Sequence, residues 1–268
     1  EISPNPAVDT DTINFVGHGT DDGGIDGYLW WSHIDGDLSY ENSFVITDLS
    51  LGMHIIYFTV QDNYGVWSDE TSLPLQVEVV AHIDSVQPST AITGQNVVLT
   101  GHGSGTVTGY SWRSSNDGPL SDESTFSTTS LSIGNHVIFF QVRGKDGNWG
   151  EEVSESLVIH QRPAAIIDSV SPLEVTEGGT VYFSGRGTDD GSIEEYRWQS
   201  SIDGNLSSEA SFDSSSLSVG IHTIYFLVRD NYEVWSEPAI RTPVNVTEVP
   251  ITEIPDDGFL PAPSLAAA

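Results

Sequence analysis

Apolar and polar residues alternate in short runs along most of the chain. Thr180-Val181-Tyr182-Phe183-Ser184-Gly185 alternates with β-branched and aromatic residues, the pattern of a half-buried strand. Tyr196-Arg197-Trp198-Gln199-Ser200 does the same and meets Asp203-Gly204, a dipeptide suited to a tight hairpin turn. Ile221 to Val228 is the longest strand candidate, and Trp235 opens a last one running through Ile240 toward Val244 and Val246. No segment shows sustained helical spacing with caps. Short strands joined by Gly, Asp and Asn turns predict an all-β, antiparallel sandwich fold.

The pattern occurs three times. Gly17-His18-Gly19-Thr20, Gly101-His102-Gly103-Ser104 and Gly185-Arg186-Gly187-Thr188 recur 84 residues apart. Behind them come Tyr28 and Trp30, Tyr110 and Trp112, Tyr196 and Trp198, then Gly52 and His54, Gly134 and His136, Gly220 and His222. A Trp closes each copy seven residues past a Val: Trp67, Trp149 and Trp235. So long a period predicts a row of small domains rather than a solenoid. Boundaries are expected at 1–80, 81–163 and 164–246, followed by a Pro- and acid-rich segment over 247–268. Short linkers predict an extended array. Pro4 aligns with Pro88 and Pro172, so Ile2 matches Val86 and Val170. The start of that strand is therefore expected to be missing, with the chain a fragment or processed product of a longer protein.

The order Gly-x-Gly, Asp-Asp-Gly, Tyr-x-Trp, Asp-Gly, Leu-x-x-Gly-x-His and Asp-Asn-x-x-x-Trp resembles PKD-type immunoglobulin-like domains. The resemblance covers about residues 1–246. It departs at Trp198-Gln199-Ser200-Ser201-Ile202-Asp203-Gly204, where such domains carry Trp-Asp-Phe-Gly-Asp-Gly. It implies three tandem immunoglobulin-like sandwiches in an archaeal or bacterial cell-surface protein, mostly serving as spacers. Gly258-Phe259-Leu260-Pro261-Ala262-Pro263 resembles the start of an archaeal PGF-type sorting tail, without the membrane helix and basic end that follow in such tails. A membrane would then be reached only through an anchor absent from this chain. The bland alternative for the tail is a disordered spacer.

Charge narrows the partners. With 39 Asp+Glu against 8 Lys+Arg the net charge is −31, which repels phosphate backbones and argues against nucleic acid. Lys145 is the one lysine, and residues 1–80 carry no Lys or Arg. This balance suits multivalent cations and a saline host. The absence of Cys excludes disulfides and thiol nucleophiles.

Comparison of the copies isolates one candidate site. Repeat 1 has Asp21, Asp22 and Asp26 before Tyr-x-Trp, and Asp62 at the end of its long strand. Repeat 3 has Asp189, Asp190, Glu194 and Asp230. Repeat 2 is two residues shorter in the first loop and has Gly144-Lys145 in the second, so the acids vanish together. In an immunoglobulin-like sandwich these loops share one end. Carboxylates without His or Cys suit Ca²⁺ at repeats 1 and 3, with Lys145 replacing the cation's charge in repeat 2. The competing reading is that Asp, Asn and Gly simply form turns.

The constant His and Asp-Gly positions read as scaffold. Trp31, next to core Trp30, faces the other side of its sheet and is replaced by Arg113 and Gln199. An exposed Trp there can stack on a sugar or fill a protein contact. Asn205 and Asn245 head glycosylation sequons. No catalytic motif is present, so no enzymatic activity and no cofactor beyond calcium are expected. The expected function is an extracellular, cell-surface stalk, layer component or adhesin. Its partners would be other surface proteins, neighbouring copies or polysaccharide. The alternatives are a carbohydrate-binding accessory region of a secreted enzyme, and a filament subunit assembled by strand exchange.

Overall fold

The structure, a computed structural model, describes residues 1–250. The sorting-tail resemblance at 258–263 lies outside them. Repeat 1 contains β1 (Ile2–Ser3), β2 (Ala7–Val8), β3 (Ile13–Val16), β4 (Ile25–Ser32), β5 (Gly36–Ser39), β6 (Ser43–Ile46), β7 (Gly52–Asp62) and β8 (Thr71–Glu78). Repeat 2 contains β9 (Val80–Gln87), β10 (Thr90–Ile92), β11 (Val97–Ser104), β12 (Val107–Ser114), β13 (Gly118–Ser121), β14 (Thr125–Thr128), β15 (Gly134–Gly144) and β16 (Val153–His160). Repeat 3 contains β17 (Ala164–Ser171), β18 (Glu174–Thr176), β19 (Val181–Thr188), β20 (Ile193–Ser200), β21 (Gly204–Ser207), β22 (Ser211–Ser214), β23 (Gly220–Asp230) and β24 (Ala239–Thr247).

Each repeat pairs a three-stranded sheet with a five-stranded one. In repeat 1 these are β1-β3-β6 and β2-β8-β7-β4-β5, and repeats 2 and 3 follow the same order. The fold is all-β, three tandem immunoglobulin-like sandwiches. Repeats 1 and 2 form one compact unit, Glu1–Gln161, and repeat 3 belongs to a second that starts at Arg162. No helix among the described residues is long and apolar enough to cross a membrane.

The repeated sequence features build the cores. Trp30, Trp112 and Trp198 are buried, and their rings lie 4.2, 4.2 and 4.3 Å from Phe58, Phe140 and Phe226. The first Gly of each Gly-x-Gly lets the backbone cross directly over that Phe. A Cβ at Gly101 would lie 2.7 Å from Phe140 and 2.9 Å from the His82 carbonyl oxygen. The motif is therefore a packing device. Trp235, expected to open the last strand, makes only an isolated bridge to Arg229, and β24 begins at Ala239.

Ile2 pairs with Phe15, as Val86 pairs with Leu99 and Val170 with Phe183. β1 spans two residues where β9 and β17 span eight. Accordingly Gly17–Thr20 is not part of a strand, while its counterparts extend β11 and β19.

Candidate functional site

One polar cluster is built three times over. His54 Nδ1 lies 2.7 Å from Ser32 Oγ, and its Nε2 lies 2.7 Å from the Ser50 carbonyl oxygen. The same distances recur at His136 with Ser114 and Ser132, and at His222 with Ser200 and Ser218. A carbonyl can only accept, so Nε2 carries the proton and Nδ1 accepts from the serine hydroxyl. Ser32 Oγ in turn accepts from the backbone N–H groups of Ile34 and Asp35. Asp35 Oδ2 lies 3.7 Å from His54 Nδ1 and accepts from the Ser50 N–H. Ser, His and Asp thus meet, yet Ser32 and His54 are buried and their hydrogen bonds are spent on the hairpin and loop backbone. The cluster closes the Asp-Gly hairpin onto the long strand.

The structure brings the two acid-bearing loops of repeats 1 and 3 side by side. Ile25 pairs with Asp62, and Ile193 with Asp230. In repeat 3 the Asn231 side chain accepts from the Ser192 N–H, and the Asn231 N–H donates to the Ser192 carbonyl. The acids cap turns. Asp62 Oδ1 accepts from the N–H groups of Tyr64 and Val66 at 2.8 Å each, and Asp230 Oδ1 accepts from Tyr232 and Val234. Asp21 and Asp189 accept from Gly23 and Gly191. Glu194 accepts from the Ser192 hydroxyl. Asp22, Asp26 and Asp190 are exposed. Among the described residues no three His, Cys, Asp or Glu side chains are grouped so as to hold a metal ion.

Repeat 2 uses the same pole differently. Its short loop and Lys145 pack against the base of repeat 1. Asp9 of repeat 1 is 5 % exposed, and its Oδ1 accepts from the Thr106 N–H at 2.8 Å. Lys145 Nζ lies 3.6 Å from Asp9 Oδ2 and 3.3 Å from Asp48 Oδ1. A Cβ at Gly105 would lie 2.5 Å from Asp9 Oδ1, and one at Gly144 would lie 2.5 Å from a Leu51 methyl. The Asp-Asp-Gly loop and the strand-end Asp of the other copies would meet these atoms and add carboxylates beside a buried one. Steric and charge constraints at this joint account for the joint loss of acids in repeat 2. Lys145 pairs with acids of the preceding repeat, not with its own loops.

Trp31 lies on the face opposite Trp30 but is only half-buried. It stacks on Tyr57 with centroids 4.0 Å apart, and its Nε1 donates to Glu70 at 3.2 Å. Arg113 takes the same place in repeat 2, 3.7 Å over Phe139, and binds Glu152 with Nε at 2.7 Å. These hydrogen bonds hold the Glu152 carboxyl below the ordinary carboxylate range and push the Arg113 guanidinium up. Trp31 is thus one member of a cross-strand stack with a carboxylate at its edge. The aromatic at position 57, 139 or 225 becomes its neighbour only through the strand register, so the sequence alone does not mark it. Asn205 is exposed and accepts from Gln199, while Asn245 is half-buried within β24.

No protein-family model matches the chain, and no curated protein sequence matches it. Solved structures of tandem domains are similar in outline. The three N-terminal domains of the outer capsid protein Hoc of bacteriophage RB49 share 14 % identity at a TM-score of 0.46, covering 92 % of this chain and 96 % of that one. Titin I-band domains I67–I69 share 13 % identity at 0.38, covering 93 % and 98 %. The fibronectin(III)-like modules of Clostridium thermocellum CbhA share 14 % identity at 0.37, covering 63 % and 95 %.

Proposed function

We propose that the chain is a non-catalytic spacer of an extracellular surface structure, in which repeats 1 and 2 act as one stiff body. The observation that carries this is the joint at Asp9. A carboxylate withdrawn from water, hydrogen-bonded to the next repeat and paired with its lysine is costly to expose to any other arrangement. Modules joined only by a flexible linker would not need it. The Ser32–His54 cluster, whose hydrogen bonds go to the hairpin and loop backbone, supports this reading.

The direct alternative is carbohydrate binding through Trp31. Affinity electrophoresis of the full chain through gels containing soluble polysaccharides separates the two. The spacer reading predicts unretarded migration, identical for Trp31→Ala. Retardation that Trp31→Ala abolishes would replace it with the carbohydrate-binding reading.

Calcium at repeats 1 and 3 is a second proposal. Its support is the adjacency of the acid-bearing loops and the Asp189 Oδ1 atom, buried without a hydrogen bond. It predicts a melting temperature raised by calcium and lowered by chelator, with no response in Asp62→Ala plus Asp230→Ala. An unchanged melting curve in the parent protein rejects it.

A further inference from the structure

Repeat 2 carries a pair of exposed imidazoles where repeat 3 carries other chemistry. His82 on β9 lies directly opposite His102 on β11, and the rings stack with centroids 4.8 Å apart and planes 17° from parallel. Ala81 and Ile83, on either side of His82, pack against the core, so His82 faces the outer side of the sheet. Repeat 3 has Ile166 opposite Arg186 at the same register, and Arg186 pairs with Asp168. Repeat 2 keeps the acid, as Asp84, but has imidazoles in place of both the aliphatic side chain and the guanidinium. Unlike His54, His136 and His222, these two rings are exposed, and their hydrogen bonds go to side chains rather than to loop backbone.

Those hydrogen bonds fix which nitrogens are left over. His102 Nδ1 lies 2.8 Å from Asp84 Oδ1. A carboxylate only accepts, so in the neutral ring Nδ1 carries the proton and Nε2 the lone pair. His82 Nε2 lies 3.2 Å from Ser104 Oγ, a hydroxyl that can accept its hydrogen bond and leave the lone pair on Nδ1. Among the described residues neither His102 Nε2 nor His82 Nδ1 has a hydrogen-bond partner. An imidazole whose other N–H is held by a carboxylate is oriented and made more basic as a metal ligand. Two adjacent rings can supply two nitrogens to one ion at about 2.0–2.1 Å each, after a small rotation that exposed side chains permit. Imidazole suits zinc and its first-row neighbours, whereas calcium takes oxygen. The net charge of −31 concentrates cations at the surface.

We propose that His82 and His102 form a two-imidazole site for a divalent first-row transition-metal ion of the zinc class. Asp84 is a positioning residue behind His102, and water completes the coordination. Asp84 is spent on His102, so the protein supplies two donors rather than the three or four of catalytic and structural zinc sites. Binding is therefore reversible and not a condition of folding. The site is independent of the acidic loops, which repeat 2 lacks.

The test titrates the full chain with zinc chloride in excess calcium chloride, which occupies exposed carboxylates, and follows the heat and the imidazole proton resonances. The proposal predicts one zinc per chain, with the largest shifts at His82 and His102. His82→Ile plus His102→Arg copies the side chains with which repeat 3 folds, and should weaken binding about tenfold or more. Asp84→Asn should weaken it about tenfold while the same two resonances still shift. Zinc binding that the double variant leaves unchanged would place the ion on other residues and overturn the proposal. So would the absence of zinc binding to the parent chain over the calcium background.

Discussion

Lys145 of repeat 2 lies 3.6 Å from a carboxylate oxygen of Asp9 in repeat 1, and the Asp9 side chain is fully buried. The two residues are 136 positions apart. Removing either partner has unequal consequences. Lys145→Met leaves a buried, uncompensated carboxylate, and Asp9→Asn leaves a lysine that retains solvent and Asp48. Each single change is expected to lower stability by about 1–3 kcal/mol, the lysine change more. A double-mutant cycle followed by urea denaturation should give a coupling of about 0.5–3 kcal/mol. Additive effects would show that the pair is not a joint.

The buried Ser–His pair predicts a costly deletion. His54→Ala removes the ring that holds the Ser50 carbonyl, leaves the Ser32 hydroxyl without its acceptor and opens a cavity. The expected cost is about 2–4 kcal/mol. His136→Ala and His222→Ala should cost the same within error, because the geometry repeats. Thermal unfolding of the three variants checks this, and a single insensitive copy would contradict the scaffold assignment.

Glu233 offers a stabilising change. Its φ is 65°, a left-handed conformation, where the counterparts Gly65 and Gly147 have φ of 84°. The Cβ of Glu233 makes this conformation cost about 1 kcal/mol or more, and glycine relieves it at some entropic cost in the unfolded chain. Glu233→Gly is expected to raise stability by a few tenths to about 1 kcal/mol. A lower unfolding midpoint would mean that the glutamate side chain contributes more than its backbone costs.

Acid should weaken the Arg113–Glu152 stack. Hydrogen bonds from Arg113 depress the folded-state pKa of Glu152. A depressed carboxylate pKa contributes stability that is complete above the unfolded value, about 4.3, and is lost as pH falls through the lower folded value. Glu152 is partly exposed, so the contribution is about 0.2–1 kcal/mol. Comparing Glu152→Gln with the parent at pH 7 and pH 3 should show the difference closing at pH 3. A difference that stays constant with pH would assign the effect to packing.

Much of this architecture is legible in the chain because its determinants are local. Alternation around Trp30, Trp112 and Trp198 marks the core, and Asp35-Gly36 with its copies marks the hairpin. The role of the acidic loops is not local. Their loss in repeat 2 is visible in the sequence, but its physical reason is Asp9, which approaches Thr106 across 97 positions. Trp31 likewise reads as a solitary exposed aromatic until the register sets Tyr57 opposite it. Residues that meet only across strands or across a domain joint leave no periodic trace.

As a stiff spacer, repeats 1 and 2 would move as one body held by Asp9 and Lys145. The chain has no Cys, so spin labels at Glu41→Cys and Glu123→Cys, both exposed, report one distance across the joint. Pulsed dipolar spectroscopy on the full chain should give a single narrow distribution that broadens when Lys145→Ala is added. A broad distribution in the parent, or a narrow one unaffected by Lys145→Ala, would contradict it.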